Sequence, residues 1–295
     1  MCSSRPYEDT LYWEDPFGPF SDVQAENPAF HDWFKVYVPY CSSDEHAGMR
    51  EGSNQTAGLH FFGRTIIASV VDDLYSEGLI GQADQKVVLM GASAGGAGVA
   101  RNCDFISDRL RDLGSDSSVF CVMDGADFEP YWMTNECDLL GVEYDSRRFW
   151  NAQEDNSCLE DLGPEAPECS AFSTFWSYIE SPFMIVSSQA DPVVHFCAED
   201  PTDNSEGSFG RLWREAMVDM AFEVVESGRE DVGIFLANCP FHVATQTGNI
   251  YEEMGVTMVD QQNTRITLAN ILYNWLNKAE LFTAIDHPET ENPAC

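Results

Sequence analysis

The chain has 295 residues, of which 44% are hydrophobic and 12% aromatic. That is enough apolar material for one large domain or two small ones, so wholesale disorder is excluded. Fifteen Lys+Arg against 50 Asp+Glu give a formal charge of -35, which excludes a protein built to neutralise nucleic-acid phosphates and opposes docking on an anionic membrane.

Residues 1–33 are polar and turn-rich, with Pro6, Pro16, Pro19 and Pro28 and no strand pattern. Residues 34–40 (FKVYVPY) read as the first strand. Over 57–79, Leu59, Phe62, Ile66, Val70 and Leu74 fall at helical spacing, with Gly78 near the stop. Residues 86–90 (KVVLM) form a short buried strand, and a helix follows to about residue 113. Residues 118–123 (SVFCVM) are another strand. Residues 130–180 hold Cys137, Cys158, Cys169, Pro164 and Pro167 and read as a cysteine-containing insertion within a single domain spanning 1–295. Residues 182–188 (PFMIVSS) and 232–237 (VGIFLA) complete the strands, with helices near 209–227 and 264–282. This alternation of near-continuous apolar strands with helices predicts an α/β fold, a mostly parallel sheet covered on both faces.

Ten cysteines are scattered without a C-x-x-C pair, which gives a structural zinc site little support. An even count spread over the chain reads as up to five disulfides in an oxidising compartment, against buried thiols in a cytosolic one. The sequon at Asn54 fits a secretory route. The start, Met1-Cys2-Ser3-Ser4-Arg5-Pro6, has neither the basic nor the apolar region of a signal peptide. No run approaches the roughly 18 apolar residues of a membrane span.

The sharpest motif is Gly91-Ala92-Ser93-Ala94-Gly95, set between a strand and a helix. A G-x-S-x-G turn in that context presents a nucleophilic serine on a strained elbow. The following helix N-terminus and the Ala94 N–H can stabilise an oxyanion. The competing reading is a phosphate-binding turn, but no G-x-x-x-x-G-K-[ST] or G-x-G-x-x-G stands there. A nucleophilic serine needs a base, and the base an orienting acid, each after a later strand. Asp191 follows 182–188 and His242 follows 232–237, in that order. Asp124 and Asp127, after 118–123, are rival acids. His195 lies only four residues past Asp191. Cys239 and His242 could form half a metal site, but no second half exists.

With 38–44 (PYCSSD within VPYCSSD), the Gly91–Gly96 run, the Asp124-Gly125 turn, Asp191 and the Cys239–His242 stretch, the chain resembles the pectin acetylesterase/Notum family of α/β-hydrolases over about residues 28–275. The resemblance implies ester hydrolysis through a serine acyl-enzyme, without metal or organic cofactor. It assigns Ser93 as nucleophile, Asp191 as orienting acid, His242 as base and the Ala94 N–H as an oxyanion donor. It implies a secreted deacylase acting on an O-acylated glycan or an acylated protein. The charge disfavours an anionic pectin-like polymer at low salt. One departure stands out. The family carries a Gly-Gly-rich strand upstream that supplies further oxyanion donors, and no Gly-Gly precedes Ser93 here. The expectation is therefore an α/β-hydrolase fold lacking its N-terminal strands, one of them from mid-sheet, with Met1 an internal methionine. A non-catalytic binding protein on a degenerate hydrolase scaffold is the alternative function.

Overall fold

The computed structural model describes residues 17–126, 128, 148–164, 166–193, 209–258, 264–278, 282–288, 292, 293 and 295. In chain order the named elements are α1 (Gly63–Ser76), β1 (Lys86–Ala92), α2 (Ala94–Asp112), β2 (Ser118–Asp124), α3 (Asn156–Leu162), α4 (Phe172–Phe175), β3 (Phe183–Ser188), α5 (Phe209–Glu226), β4 (Val232–Ala237), α6 (Gly248–Glu252), β5 (Gly255–Thr257), β6 (Arg265–Thr267), α7 (Leu268–Leu276) and β7 (Thr283–Ile285). Five strands form one sheet in the order β1-β2-β3-β4-β7, and every neighbouring pair is parallel. β5 and β6 pair antiparallel as a separate ribbon.

Strand alternation sends the two faces into two cores. Val119, Cys121, Met123, Ile185, Ile234 and Leu236 face one, where α2 contributes Cys103, Ile106 and Leu110 and α5 contributes Trp213, Met217 and Met220. Phe120, Val122, Met184, Val186 and Phe235 face the other, where α7 contributes Leu268, Ile271, Leu272 and Trp275. Helices thus cover both faces, as parallel apolar strands require. The register aligns Ala92 with Asp124 and Ser188 with Ala237, so the loops that follow these four strands emerge along one edge of the sheet.

Several expectations are corrected. Residues 34–40 are not a strand. Among the described residues they have no ladder partner, and Phe34, Val36, Tyr37 and Tyr40 are exposed. Their aromatic and β-branched composition carries β-propensity, but propensity yields a strand only where a neighbouring edge accepts the hydrogen bonds. Among the described residues β1 is the edge of the sheet, and all seven of its residues are only half-buried. α1 begins at Gly63 and not near 57, because Ala57 and Gly58 adopt positive φ and the Asp44 carboxylate accepts the Gly63 N–H at 2.8 Å. The stretch expected as a helix over 264–282 opens as β6 before α7 starts at Leu268, with Thr267 capping the Asn270 N–H. β4 does not complete the sheet, since β7 pairs beyond it.

Cysteines form three disulfides among the described residues. Cys103–Cys121 ties α2 to β2, Cys158–Cys169 pins the region after α3, and Cys239–Cys295 ties the loop after β4 to the C-terminal residue. Cys41 is free. Cys2, Cys137 and Cys197 lie outside the described residues, as do Asp127 and His195.

Candidate functional site

β1 runs straight into α2 through Ser93, which has φ 56° and ψ -126°. A side chain rarely tolerates that conformation, and it turns Ser93 outward at the sheet edge. Two glycines permit the turn. A Cβ on Gly91 would overlap the Gly95 carbonyl, and one on Gly96 would stand 2.8 Å from the Asp124 carbonyl oxygen. Gly95 needs no such reason, because nothing lies within 4 Å of where its Cβ would be. The small residue at 95 therefore leaves open space in front of the turn, and the close helix–strand approach rests on 91 and 96. Ala94 is the first residue of α2, so its N–H belongs to a turn with no intrahelical acceptor.

The structure brings Ser93, His242 and Asp191 together from the loops after β1, β4 and β3. His242 Nε2 is 2.7 Å from Ser93 Oγ, and His242 Nδ1 is 2.8 Å from Asp191 Oδ2. Asp191 is buried, and its other oxygen accepts the Val193 N–H at 2.8 Å. The imidazole side chain keeps 22% exposure, so a substrate can approach it. With Asp191 accepting from Nδ1–H, the tautomer leaves Nε2 free to take the hydroxyl proton of Ser93.

Asp124 does not reach the imidazole nitrogens. Its carboxylate instead accepts the N–H of Ala244 at 3.0 and 3.1 Å, the N–H of Thr245 at 2.7 Å and the Thr245 hydroxyl at 2.5 Å. Complete burial pushes its carboxyl up to about 6, against the opposing pull of those hydrogen bonds and of His242. Cys239 is held in a disulfide and offers no thiolate, so Cys239-x-x-His242 is not half of a metal site. The base loop is also held by Ser188, whose hydroxyl donates to the Cys239 carbonyl, and by Asp286, which accepts the Asn238 N–H at 3.1 Å. Neither supporting group carried a motif, although Ser188 stands at the end of an anticipated strand. An open hollow of about 1300 Å³ lies at the opposite end of the strands, beside Lys86, Ser118, Asp231 and Trp275. It is remote from Ser93 and takes no part in this chemistry.

Comparison with known proteins places these features in context. The pectinacetylesterase family model matches residues 2–295. Palmitoleoyl-protein carboxylesterase NOTUM of Schmidtea mediterranea is 30% identical over 184 residues, covering 59% of this chain and 34% of the relative. Pectin acetylesterase 5 of Arabidopsis thaliana is 25% identical over 323 residues, covering 100% of this chain and 70% of the relative. The chain thus spans about a third of the length of the first of these relatives. A crystal structure of the Wnt deacylase Notum from Drosophila superposes with a TM-score of 0.77 at 21% identity, covering 97% of this chain and 82% of that one. That likeness establishes the fold.

Proposed function

This chain belongs to the pectinacetylesterase family, and on that premise we propose that it is a serine carboxylic-ester hydrolase that removes acyl groups through an acyl-enzyme. Ser93 is the nucleophile, His242 the base and Asp191 the orienting acid. The observation that carries the reading is the two-bond relay from Asp191 through His242 to Ser93, at 2.8 and 2.7 Å, assembled from three separate loops. Ser93 Oγ attacks the ester carbonyl carbon as its proton passes to His242 Nε2. The carbonyl π pair moves onto oxygen, where the Ala94 N–H at the α2 terminus donates to it. Collapse breaks the bond to the alcohol, which leaves with the proton from His242. Water, deprotonated by the same imidazole, then releases the acid and restores Ser93.

The substrate class in this proposal is an O-acylated glycan or an acylated protein, the two kinds that the relatives' names describe. The charge of -35 favours a neutral carrier or a saline medium over an anionic polymer. An extracellular setting belongs to the same proposal and is supported by the three disulfides. The test is hydrolysis of p-nitrophenyl acetate and p-nitrophenyl palmitate by the purified chain and by Ser93→Ala. The expected result is turnover by the parent and none above background by Ser93→Ala, and the chain-length preference assigns the acyl group. Equal rates from the two proteins would overturn the assignment of Ser93. A folded parent inert on both esters would favour a binding protein on the same scaffold.

A further inference from the structure

The base loop is held on each side of His242. On the N-terminal side Cys239 is tied to Cys295 and to the Ser188 hydroxyl. On the C-terminal side the anchor is Asp124, at the end of β2. Two main-chain N–H groups and one hydroxyl, from Ala244 and Thr245, converge on its carboxylate. The other bonds within this turn are local, from the Thr247 N–H to the Ala244 carbonyl and from the Thr247 hydroxyl to the Val243 carbonyl.

The same residue touches the other half of the site. The Asp124 carbonyl accepts the Ser93 N–H at 2.8 Å, and the absence of a side chain at Gly96 permits that approach. Gly125, at φ +56°, lets the His242 carbonyl come closer than any Cβ would allow. Residues 124 and 125 therefore sit between the nucleophile turn and the base loop and set the distance between them. All three donors reach Oδ2, and the Ala244 N–H also reaches Oδ1 at 3.1 Å; an amide in its place is a weaker, uncharged acceptor and turns an NH2 donor toward the Ala244 N–H. A buried carboxylate with no cation against it is costly, and the carboxyl's upward displacement records that cost.

We propose that Asp124 is a positioning residue for the base, its carboxylate fixing the 244–245 backbone so that His242 Nε2 stays within hydrogen-bond reach of Ser93. The proposal rests on the esterase reading for its kinetic consequence, but its geometric content stands apart from that reading. Among the described residues the titratable group acting on Asp124 is His242, with Asp191 on the far nitrogen of the ring.

The test compares Asp124→Asn and Thr245→Val with the parent, each also in a His242→Ala background. For Asp124→Asn the expected kcat on p-nitrophenyl acetate falls about 10- to 100-fold at near-constant KM, since small displacements of a base are amplified in rate. Thr245→Val, which deletes only the hydroxyl donor, falls less. In the His242→Ala background Asp124→Asn causes no further loss, because it acts through the imidazole. A loss of the same size in that background, or an unchanged kcat in folded Asp124→Asn, overturns the proposal. The second readout is the downfield Nδ1–H proton resonance of His242, which reports its bond to Asp191 without any turnover. It broadens or disappears in Asp124→Asn and weakens in Thr245→Val while the far-ultraviolet dichroism is retained. An unchanged resonance refutes the positioning role even if the parent hydrolyses no ester. Should Asp124→Asn fail to fold, Thr245→Val decides by the same two readouts.

Discussion

Replacing Gly125 with alanine tests how tightly the nucleophile turn and the base loop are coupled. Gly125 has φ +56°, and an added Cβ would stand inside 3.0 Å of the His242 carbonyl oxygen. The left-handed backbone alone costs roughly 1–2 kcal/mol for a residue with a Cβ. Overpacking adds about 1–3 kcal/mol. The sum, on the order of 2–5 kcal/mol, lowers the melting temperature by about 3–8 °C in a chain of 295 residues. To regain ordinary contact beyond 3.4 Å, the His242 carbonyl must retreat by about 1 Å. Its Nε2 now stands 2.7 Å from Ser93 Oγ, so that retreat takes the pair out of hydrogen-bond range. A shift of that size is worth on the order of 10²-fold in kcat. The assay is ester hydrolysis well below the melting transition, with rates normalised to titrated active sites, beside thermal denaturation. Gly95→Ala is the control. Nothing lies within 4 Å of its Cβ position, so its melting temperature stays level or rises. A Gly125→Ala protein that melts earlier but keeps parental kcat would refute the coupling.

Two further outcomes are expected. The Cys239–Cys295 disulfide closes a separation of 56 residues, against 18 for Cys103–Cys121 and 11 for Cys158–Cys169. Loop-closure entropy then ranks the losses at about 4.2, 3.2 and 2.8 kcal/mol when each pair becomes alanine, measured by urea denaturation; the reverse order would contradict an entropic origin. Asp124 is raised from 3.8 to about 6 by burial, so the folded chain holds its proton more tightly than the unfolded chain. Its contribution is therefore most favourable below pH 3.8 and is lost as pH rises through about 6, on the order of 3 kcal/mol. The unfolding free energy of the parent, minus that of Asp124→Asn, should fall by that amount between pH 3.5 and pH 7. A difference independent of pH would contradict the buried, titrating carboxyl.

Much of the sheet was legible because its strands announce themselves locally. The expected strands 86–90, 118–123, 182–188 and 232–237 are short runs rich in apolar residues, and each lies on a strand of the parallel sheet. Their order placed Ser93, Asp191 and His242 at corresponding strand ends, and the structure brings those three side chains into contact. What escaped depends on partners remote in sequence. Residues 34–40 have strand composition but pair with no strand among the described residues, and composition does not report pairing. β5, β6 and β7 are three residues each, too short for a period to show. The start of α1 is set by Asp44, nineteen residues upstream, which no local window contains. Asp124 shows the same limit within the site. Its place after a strand marked it as a rival to Asp191, but its role depends on the direction of its carboxylate. That direction is decided by the N–H groups of residues 244 and 245, some 120 positions away.

The central claim is that Ser93 is made nucleophilic by His242. It is tested most directly by treating the folded chain with a fluorophosphonate probe and mapping the adduct by mass spectrometry. The account predicts one phosphonylated residue, Ser93, with labelling slowed by orders of magnitude in His242→Ala and absent in Ser93→Ala. An adduct on another residue, or labelling at parental rate in His242→Ala, would contradict it.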